Sequence, residues 1–365
     1  MNSKKIMFYF SSLAKGGSQR VIVNLTESLL SKGYGVTVVT TSVVENEYEL
    51  PEGAERIVSD IQEDEISSNR IRNLKKRFAK LRNIWKEEKP DIIISFIGKN
   101  NFMAILTAWG LKIPVVVSVR AEPKIEYYNG WMRFLAKHFL CKADGIILQT
   151  EDSKEFFPEK ALKKAVVLPN PLNPAFVEGN YEGEREKKIV MVGSVYGLKN
   201  QKLVVDAFAP LATKYLEYRV EIWGDGEDYH SLKDYISSLH LEKQILMHGA
   251  TKEVRKKIEK ASLYILSSNA EGMPNSLMEA MALGLPCIST DCPCGGPRAL
   301  IEDGVNGLLT PVKDVEAMTN AIDRVLGDKE FAEELGRNAL KIRETLSPEN
   351  VNEQWESYLL SKIKN

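Results

Sequence analysis

The stretch Asn269-Ala-Glu271-Gly-Met-Pro274-Asn-Ser-Leu-Met-Glu279-Ala-Met-Ala-Leu-Gly284-Leu-Pro286 carries two glutamates eight positions apart, a proline between them and a Gly-Leu-Pro ending. Proline is tolerated in the first turn of a helix, and glycine followed by proline ends one. A helix is therefore expected from near Asn275 to near Leu283. The start of a helix presents backbone N–H groups and the positive end of its dipole, which together favour an anion. The amides of Asn275, Ser276 and Leu277 are expected to form a site suited to a diphosphate, with Glu271 at its mouth and Glu279 about one turn inside. Eight helical residues span about 12 Å. A glycosidase needs its two carboxyls about 5–9.5 Å apart. The pair suits instead the two ends of one long ligand, gripped through its hydroxyls. The other reading is an ordinary amphipathic helix with two solvated glutamates.

On either side of this stretch, short apolar runs alternate with amphipathic helical patterns, which argues for βαβ units and parallel sheets. Strands are expected at Ile6–Phe10, Val36–Thr40, Ile92–Phe96, Val115–Ser118, Gly145–Leu148 and Val166–Leu168. A second series is expected at Ile189–Val192, Val220–Trp223, Ile245–Met247, Leu263–Leu266, Pro286–Ser289 and Gly307–Leu309. Between the series, Pro169-Asn-Pro-Leu-Asn-Pro174 excludes helix interior, and the polar stretch after it reads as a linker. The domains expected are 1–172 and 186–345, joined by 173–185, with a terminal helix at 348–365 docking on the first. Val351, Trp355 and Leu359 give that helix an apolar stripe. Two Rossmann-like halves place ligands outside the carboxyl ends of their strands, and a cleft between the halves is the expected site.

Composition narrows the classes. A chain of 365 residues with 44% hydrophobic content suits two ordinary cores, and its net charge of −1 makes no case for nucleic acid. The apolar run at Ile6–Phe10 is too short for a signal peptide, and no window of about 18 apolar residues suggests a membrane span. A cytoplasmic protein is expected, with free thiols at Cys141, Cys287, Cys292 and Cys294. Cys292-Pro-Cys294 lacks the spacing of zinc or thioredoxin motifs, and four scattered histidines supply no ligand set, so no metal is expected.

The segment Glu271–Pro286 resembles the signature of the retaining glycosyltransferase family 4, a glutamate, seven residues and a second glutamate. The resemblance implies the GT-B fold: two Rossmann-like domains around a cleft, with a C-terminal helix packing back towards the first. It implies that Glu271 contacts the donor sugar, that Glu279 binds the ribose, and that Gly272, Met273, Pro274, Asn275, Ser276 and Leu277 lie along the diphosphate. Lys15-Gly16-Gly17-Ser-Gln-Arg20 is similar to the family loop that faces donor phosphates and acceptor, with Gly16 and Gly17 on the donor and Arg20 on the acceptor side. Gly193-Ser194-Val-Tyr-Gly-Leu-Lys199-Asn200 resembles the loop that brings an arginine and a lysine to the diphosphate. Lys199 matches the lysine, Asn200 adjoins it, and Ser194 stands where the arginine is expected. Leaving-group stabilisation then falls to Lys199, the helix start and another cation such as Arg298.

Ser289-Thr-Asp-Cys-Pro-Cys-Gly-Gly-Pro-Arg298 is similar to a loop of bacterial members that transfer hexose or N-acetylhexosamine in surface-glycan assembly. Ser118-Val-Arg120-Ala-Glu122-Pro resembles the same subgroup, which places Arg120 and Glu122 on the acceptor side, or else pairs them on the surface. The resemblance implies a nucleotide-sugar donor, a UDP-sugar, no required cofactor, and a glycan or polyprenyl-linked glycan acceptor. The alternative is a non-catalytic nucleotide-sugar- or glycan-binding subunit, which the serine at 194 favours. Finally, Arg70–Lys89 holds nine basic and two acidic residues, with Ile71, Leu74, Phe78, Leu81 and Trp85 on one face. It reads either as a core-packed helix with a solvated basic face or as a surface helix on anionic lipid at the inner face of the cell membrane, helped by Trp131, Phe134, Leu135 and Phe139.

Overall fold

The computed structural model describes residues 4–61, 65–179 and 181–363. The chain forms two compact units, one running to Pro171 and resuming at Glu349, the other Leu172–Pro348. The first contains strands β1 (Lys5–Phe10), β2 (Gly35–Thr40), β3 (Glu55–Val58), β4 (Ile92–Phe96), β5 (Val115–Ser118), β6 (Gly145–Leu148) and β7 (Ala165–Val167). Its helices are α1 (Gly17–Ser31), α2 (Arg70–Glu88), α3 (Gly98–Ala108), α4 (Pro123–Glu126), α5 (Gly130–Phe139) and α6 (Glu159–Leu162). The second contains β8 (Glu186–Val192), β9 (Arg219–Trp223), β10 (Ile245–Gly249), β11 (Ala261–Leu266), β12 (Cys287–Thr290) and β13 (Leu308–Thr310). Its helices are α7 (Gln201–Phe208), α8 (Tyr229–Ser238), α9 (Val254–Ile258), α10 (Asn275–Ala282), α11 (Val315–Gly327), α12 (Lys329–Ala339) and α13 (Ile342–Thr345), and α14 (Pro348–Leu360) follows.

Both sheets are wholly parallel, in the orders β3-β2-β1-β4-β5-β6-β7 and β10-β9-β8-β11-β12-β13. Parallel strands are covered on both faces, which explains runs such as Ile92-Ile-Ile-Ser-Phe96, buried throughout. In each sheet the order reverses once, between β1 and β4 and between β8 and β11. The loops leaving those strands are where an open α/β sheet binds ligands. The strand β3 was not expected. It is an edge strand, half-exposed, and its Glu-Arg-Ile-Val carries no apolar run.

The terminal helix belongs to the first unit. Val351, Trp355 and Leu359 are buried along one face of α14. Trp355 donates from Nε1 to the Pro169 carbonyl at 3.1 Å and stacks on Phe96. Tyr358 Oη accepts from the Ile146 amide and donates to the Lys164 carbonyl at 2.8 Å. A side chain at Gly145 would meet that hydroxyl at 2.5 Å, so the glycine lets α14 approach β6.

Helix α2 uses only part of its apolar stripe. Leu81, Ile84 and Trp85 are buried, whereas Ile71 and Leu74 of the expected face are exposed. The stripe has helical period throughout, but the N-terminal half of α2 runs beyond the core it packs on. In the second unit, the stretch after Pro171 is tied down by its own side chains. Leu172 and Phe176 enter the core, and Arg185 donates to the carbonyls of Glu259, Ala261, Leu283 and Gly284.

Candidate active site

The loops after β8 and β11 leave neighbouring strands at the reversal of the second sheet. They are stitched together by the Asn269 amide on the Leu198 carbonyl (2.7 Å), Asn269 Nδ2 on the Gly197 carbonyl (3.0 Å) and Ser267 Oγ on the Lys199 carbonyl (2.8 Å). Asn200 adopts a left-handed φ of 47° before α7, and its Nδ2 donates to Asn269 Oδ1 at 3.3 Å. The result is that Lys199 Nζ lies 2.5 Å from Glu271 Oε1, with side chains only 23% and 12% exposed. Ser268 Oγ donates to the same oxygen at 2.6 Å. Burial works against the lysine's charge, the Glu271 carboxylate outweighs it, and the pKa of Lys199 lies above the ordinary lysine value. Lys199 is therefore charged at neutral pH.

A third loop fixes the glutamate's backbone. Glu271 N–H donates to the Pro293 carbonyl at 2.8 Å, and the Cys294 amide donates to the Glu271 carbonyl at 3.1 Å. An added Cβ on Gly296 would fall 1.6 Å from the Gly272 carbonyl oxygen, so this backbone contact admits only glycine. All four cysteines are buried, and none forms a disulfide among the described residues. Burial, with Glu271 nearby, pushes the Cys292 thiol up to about 12, so it holds its proton.

Helix α10 starts as the sequence implies, with differences of detail. Pro274 is the capping residue, one position before the first turn. Its carbonyl already takes the amides of Leu277 and Met278 at 3.2 Å, so Leu277 does not offer an open N–H to an anion as expected. A tight first turn uses i→i+3 bonds in this way. Tyr264 of β11 donates from Oη to Ser276 Oγ at 2.8 Å and supports the helix start from below. Glu279 is 4% exposed, well away from the solvated state of an ordinary helix glutamate. Gly284 ends the helix at φ 66°, and the Leu285 amide bonds back to the Ala280 carbonyl.

Ser194 is exposed, and its carbonyl accepts from Gln201 Nε2 at 2.9 Å. Arg298 is gripped at both ends of its fork by Asp291, at 2.7 and 2.8 Å. Arg298 and Asp291 thus form a bidentate ion pair on a half-exposed side chain, whereas the Lys199–Glu271 pair is largely buried.

In the first unit, Gly16 caps α1 in an extended conformation, Gly17 is the first residue of the helix, and the Arg20 amide closes on the Gly16 carbonyl. The preceding loop is buttressed by Glu47, which accepts from the Leu13 amide and from Arg56. Arg56 holds the Glu47 carboxyl below the usual range. Arg120 is 6% exposed, and its guanidinium carbon lies 5.5 Å from the ring centres of both Phe96 and Trp355. It donates to Asn170 Oδ1, which also takes Gln149 Nε2. Glu122 is buried as the cap of α4, accepting from the Ile125 amide at 2.8 Å. The alternative surface pair of Arg120 with Glu122 does not form: Glu122 caps its own helix, and Arg120 reaches Asn170 and the ring of Trp355.

Sequence reading missed Glu126. Its carboxylate accepts the amides of Gly98 (2.8 Å), Arg120 (2.9 Å) and Ala121 (3.2 Å), and so ties the loops after β4 and β5 together. Beside it Ile97 stands at φ 67°, a strained conformation for a β-branched residue, at the carboxyl end of β4. A lone glutamate in Pro-Lys-Ile-Glu-Tyr-Tyr gives no sign of this in sequence.

Comparison with known proteins bears on both units. Residues 175–342 match the family described as glycosyl transferases group 1, and residues 15–176 match glycosyltransferase family 4. The chain is 28% identical over 365 residues to the Campylobacter jejuni GalNAc-alpha-(1->4)-GalNAc-alpha-(1->3)-diNAcBac-PP-undecaprenol alpha-1,4-N-acetyl-D-galactosaminyltransferase, covering 99% of each. It is 27% identical to the Escherichia coli UDP-Gal:alpha-D-GlcNAc-diphosphoundecaprenol alpha-1,3-galactosyltransferase, covering 70% of this chain and 71% of that one. Among solved structures, Anabaena HepE in complex with UDP-glucose superposes with a TM-score of 0.81 at 18% identity, covering 98% of this chain and 99% of that one.

Proposed function

The chain belongs to glycosyltransferase family 4 and has the GT-B fold, and from that premise we propose that it moves a hexose or N-acetylhexosamine from a UDP-sugar to a glycan or polyprenyl-linked glycan. The setting is bacterial surface-polysaccharide or glycoconjugate assembly, at the inner face of the cell membrane. The observation that carries this reading is the ion pair of Lys199 with Glu271 beside the start of α10. A carboxylate and a cation already held in place exchange contacts with a sugar hydroxyl and a diphosphate at little reorganisation cost.

The roles follow. Glu271 orients the donor sugar, Glu279 takes the ribose, and Lys199 with the amides of Asn275 and Ser276 receives the diphosphate. Gly272, Met273 and Pro274 shape the mouth, Ser194 and Asn200 border it, and Gly16 and Gly17 form the donor-facing loop of the first unit. Arg20 stands on the acceptor side, where Arg120 and Glu122 act as positioning residues. In a transfer with retention, the acceptor oxygen bonds to the anomeric carbon on the face from which the nucleotide leaves. The anomeric carbon–phosphate oxygen bond breaks, and the acceptor's proton passes to the departing diphosphate. No metal or other cofactor is assigned a part.

The test is nucleotide release from a panel of UDP-, GDP- and ADP-sugars, with and without a lipid-glycan extract. UDP release from one sugar, raised by the extract, is the expected result. Release equally fast without extract would make the chain a hydrolase. Stabilisation by a donor without any release would favour the binding subunit, the reading that Ser194 motivates.

A further inference from the structure

The loop after β5 runs into α4, and α5 then carries the chain back towards the start of the parallel strand β6. The inner face of α5 is conventional, with Met132 and Ala136 buried and Leu135 and Phe139 packed against the core. Its outer face is not. Trp131 is 68% exposed, Phe134 51% and the preceding Tyr128 62%. The rings of Trp131 and Phe134 stack at 5.7 Å, and Phe134 stacks on His138 at 4.3 Å. Three rings thus stand in a row at i, i+3 and i+7, held out into water, where each leaves apolar area unburied.

The charges around this row have one sign. Residues 124–142 contain Lys124, Arg133, Lys137 and Lys142, all exposed, against a single acid, Glu126. That acid is spent on three backbone amides. Arg133 is fixed along the edge by the carbonyls of Tyr127 and Lys124. Exposed Trp and Tyr flanked by lysine and arginine suit the headgroup layer of a membrane, where the rings enter the interface and the cations meet lipid phosphates.

The other basic segment is a weaker match. On α2, Arg77 pairs with Asp60, Lys80 and Lys76 donate to the Asp60 and Glu65 carbonyls, and Arg82 donates to the carbonyls of Thr107 and Trp109. Four of its cations are engaged within the unit, and its exposed apolar residues, Ile71 and Leu74, are aliphatic.

We propose that the α4–α5 face, through Tyr128, Trp131 and Phe134 and the surrounding Lys124, Arg133 and Lys137, is the surface by which the chain sits on an anionic lipid bilayer. The purpose of such a seat rests on the reading above, since a polyprenyl-linked acceptor lies in that layer; the physical case for it does not.

The experiment is co-sedimentation of the full chain with phosphatidylcholine vesicles, with and without phosphatidylglycerol, at low and high salt. No donor or acceptor is added, and nucleotide release is measured separately, so failure of one reading is distinct from failure of the other. Binding is expected only with phosphatidylglycerol and should weaken with salt. The exposed double substitution Trp131→Ser with Phe134→Ser should lower the partition coefficient about tenfold or more, with an unchanged melting temperature. The matched control, Ile71→Ser with Leu74→Ser, should leave it unchanged. Absence of wild-type binding at low salt overturns the proposal, as does loss confined to the α2 control. Self-association that disappears in the Trp131/Phe134 variant, without vesicle binding, also overturns it and makes the face a contact between copies of this chain.

Discussion

Each parallel sheet carries a largely buried cation beyond the carboxyl end of a strand near its centre, Arg120 after β5 and Lys199 after β8, and the two are treated differently. Lys199 has a carboxylate 2.5 Å away that more than offsets burial and holds its pKa above the usual value. Arg120 makes no ion pair among the described residues; it rests against two rings and an amide oxygen, and burial pulls its pKa down to about 9. At neutral pH both are charged. A buried cation with a dedicated carboxylate is poised to exchange that partner for a ligand. One lodged among rings and amides has nothing to exchange and serves the architecture. The distinction separates a site from its scaffold where residue type and position alone do not.

The largest effect expected tests the scaffold half. Trp355 is fully buried against Phe96 and Arg120, so Trp355→Ala should cost about 3–5 kcal/mol in the unfolding of the first unit. Calorimetry would read it. A cost below about 1 kcal/mol would mean that α14 is an attachment and that Arg120 lacks the setting described.

Next comes the site half. Glu271→Gln keeps the side chain's size and its bond from Ser268 but removes the charge opposite Lys199. Turnover should fall about 100-fold while the protein stays folded. Near-normal turnover would reduce the pair to a structural ion bridge and erase its difference from Arg120.

These two outcomes concern residues that were unequally legible in sequence. Buried parallel strands announce themselves as unbroken apolar runs, and β4, β5 and β6 lie where those runs lie. The edge strand β3 has one neighbour and consists of two charged residues followed by two apolar ones, so it gives no such signal. In the site, Glu271, Pro274 and Glu279 are visible because a helix start is a local event. The partnership of Glu271 with Lys199 spans 72 positions and depends on β8 and β11 being neighbours, which spacing does not reveal. Arg120 and Glu122 read either as acceptor-side residues or, being close in sequence and opposite in charge, as a surface pair. The turn into α4 instead sends the glutamate to its own helix cap and the arginine under the rings. What escaped the sequence is which side chains converge from different strands.

A smaller effect sharpens the comparison directly. Arg120→Met preserves length and ring contact, and Asn170 Oδ1 keeps its bond from Gln149. Replacing a buried cation that makes no ion pair among the described residues by an apolar residue of similar size should change stability by no more than about 1.5 kcal/mol. Turnover should fall by less than about tenfold, whereas Lys199→Met should lose about 100-fold. A large loss of turnover without loss of stability in Arg120→Met would turn Arg120 from a positioning residue into one that meets substrate.

The smallest effect concerns the residue beside Trp355. Glu356 accepts from Lys32 and from Tyr34 Oη, the latter at 2.7 Å, and so fastens α14 to the end of α1. Partial burial raises its pKa, the two donors more than compensate, and the carboxyl lies below its ordinary value. A carboxylate depressed on folding stabilises above its unfolded pKa of about 4.3, and that contribution fades as pH falls through the folded value. The pair is partly solvated, so the contribution should be no more than about 1 kcal/mol. Melting temperatures of the native chain and Glu356→Gln should differ most above pH 5 and converge towards pH 3. A gap that is constant with pH would place the donors' hold on the neutral side chain, leaving the aromatic contacts around Arg120 as the anchor of α14.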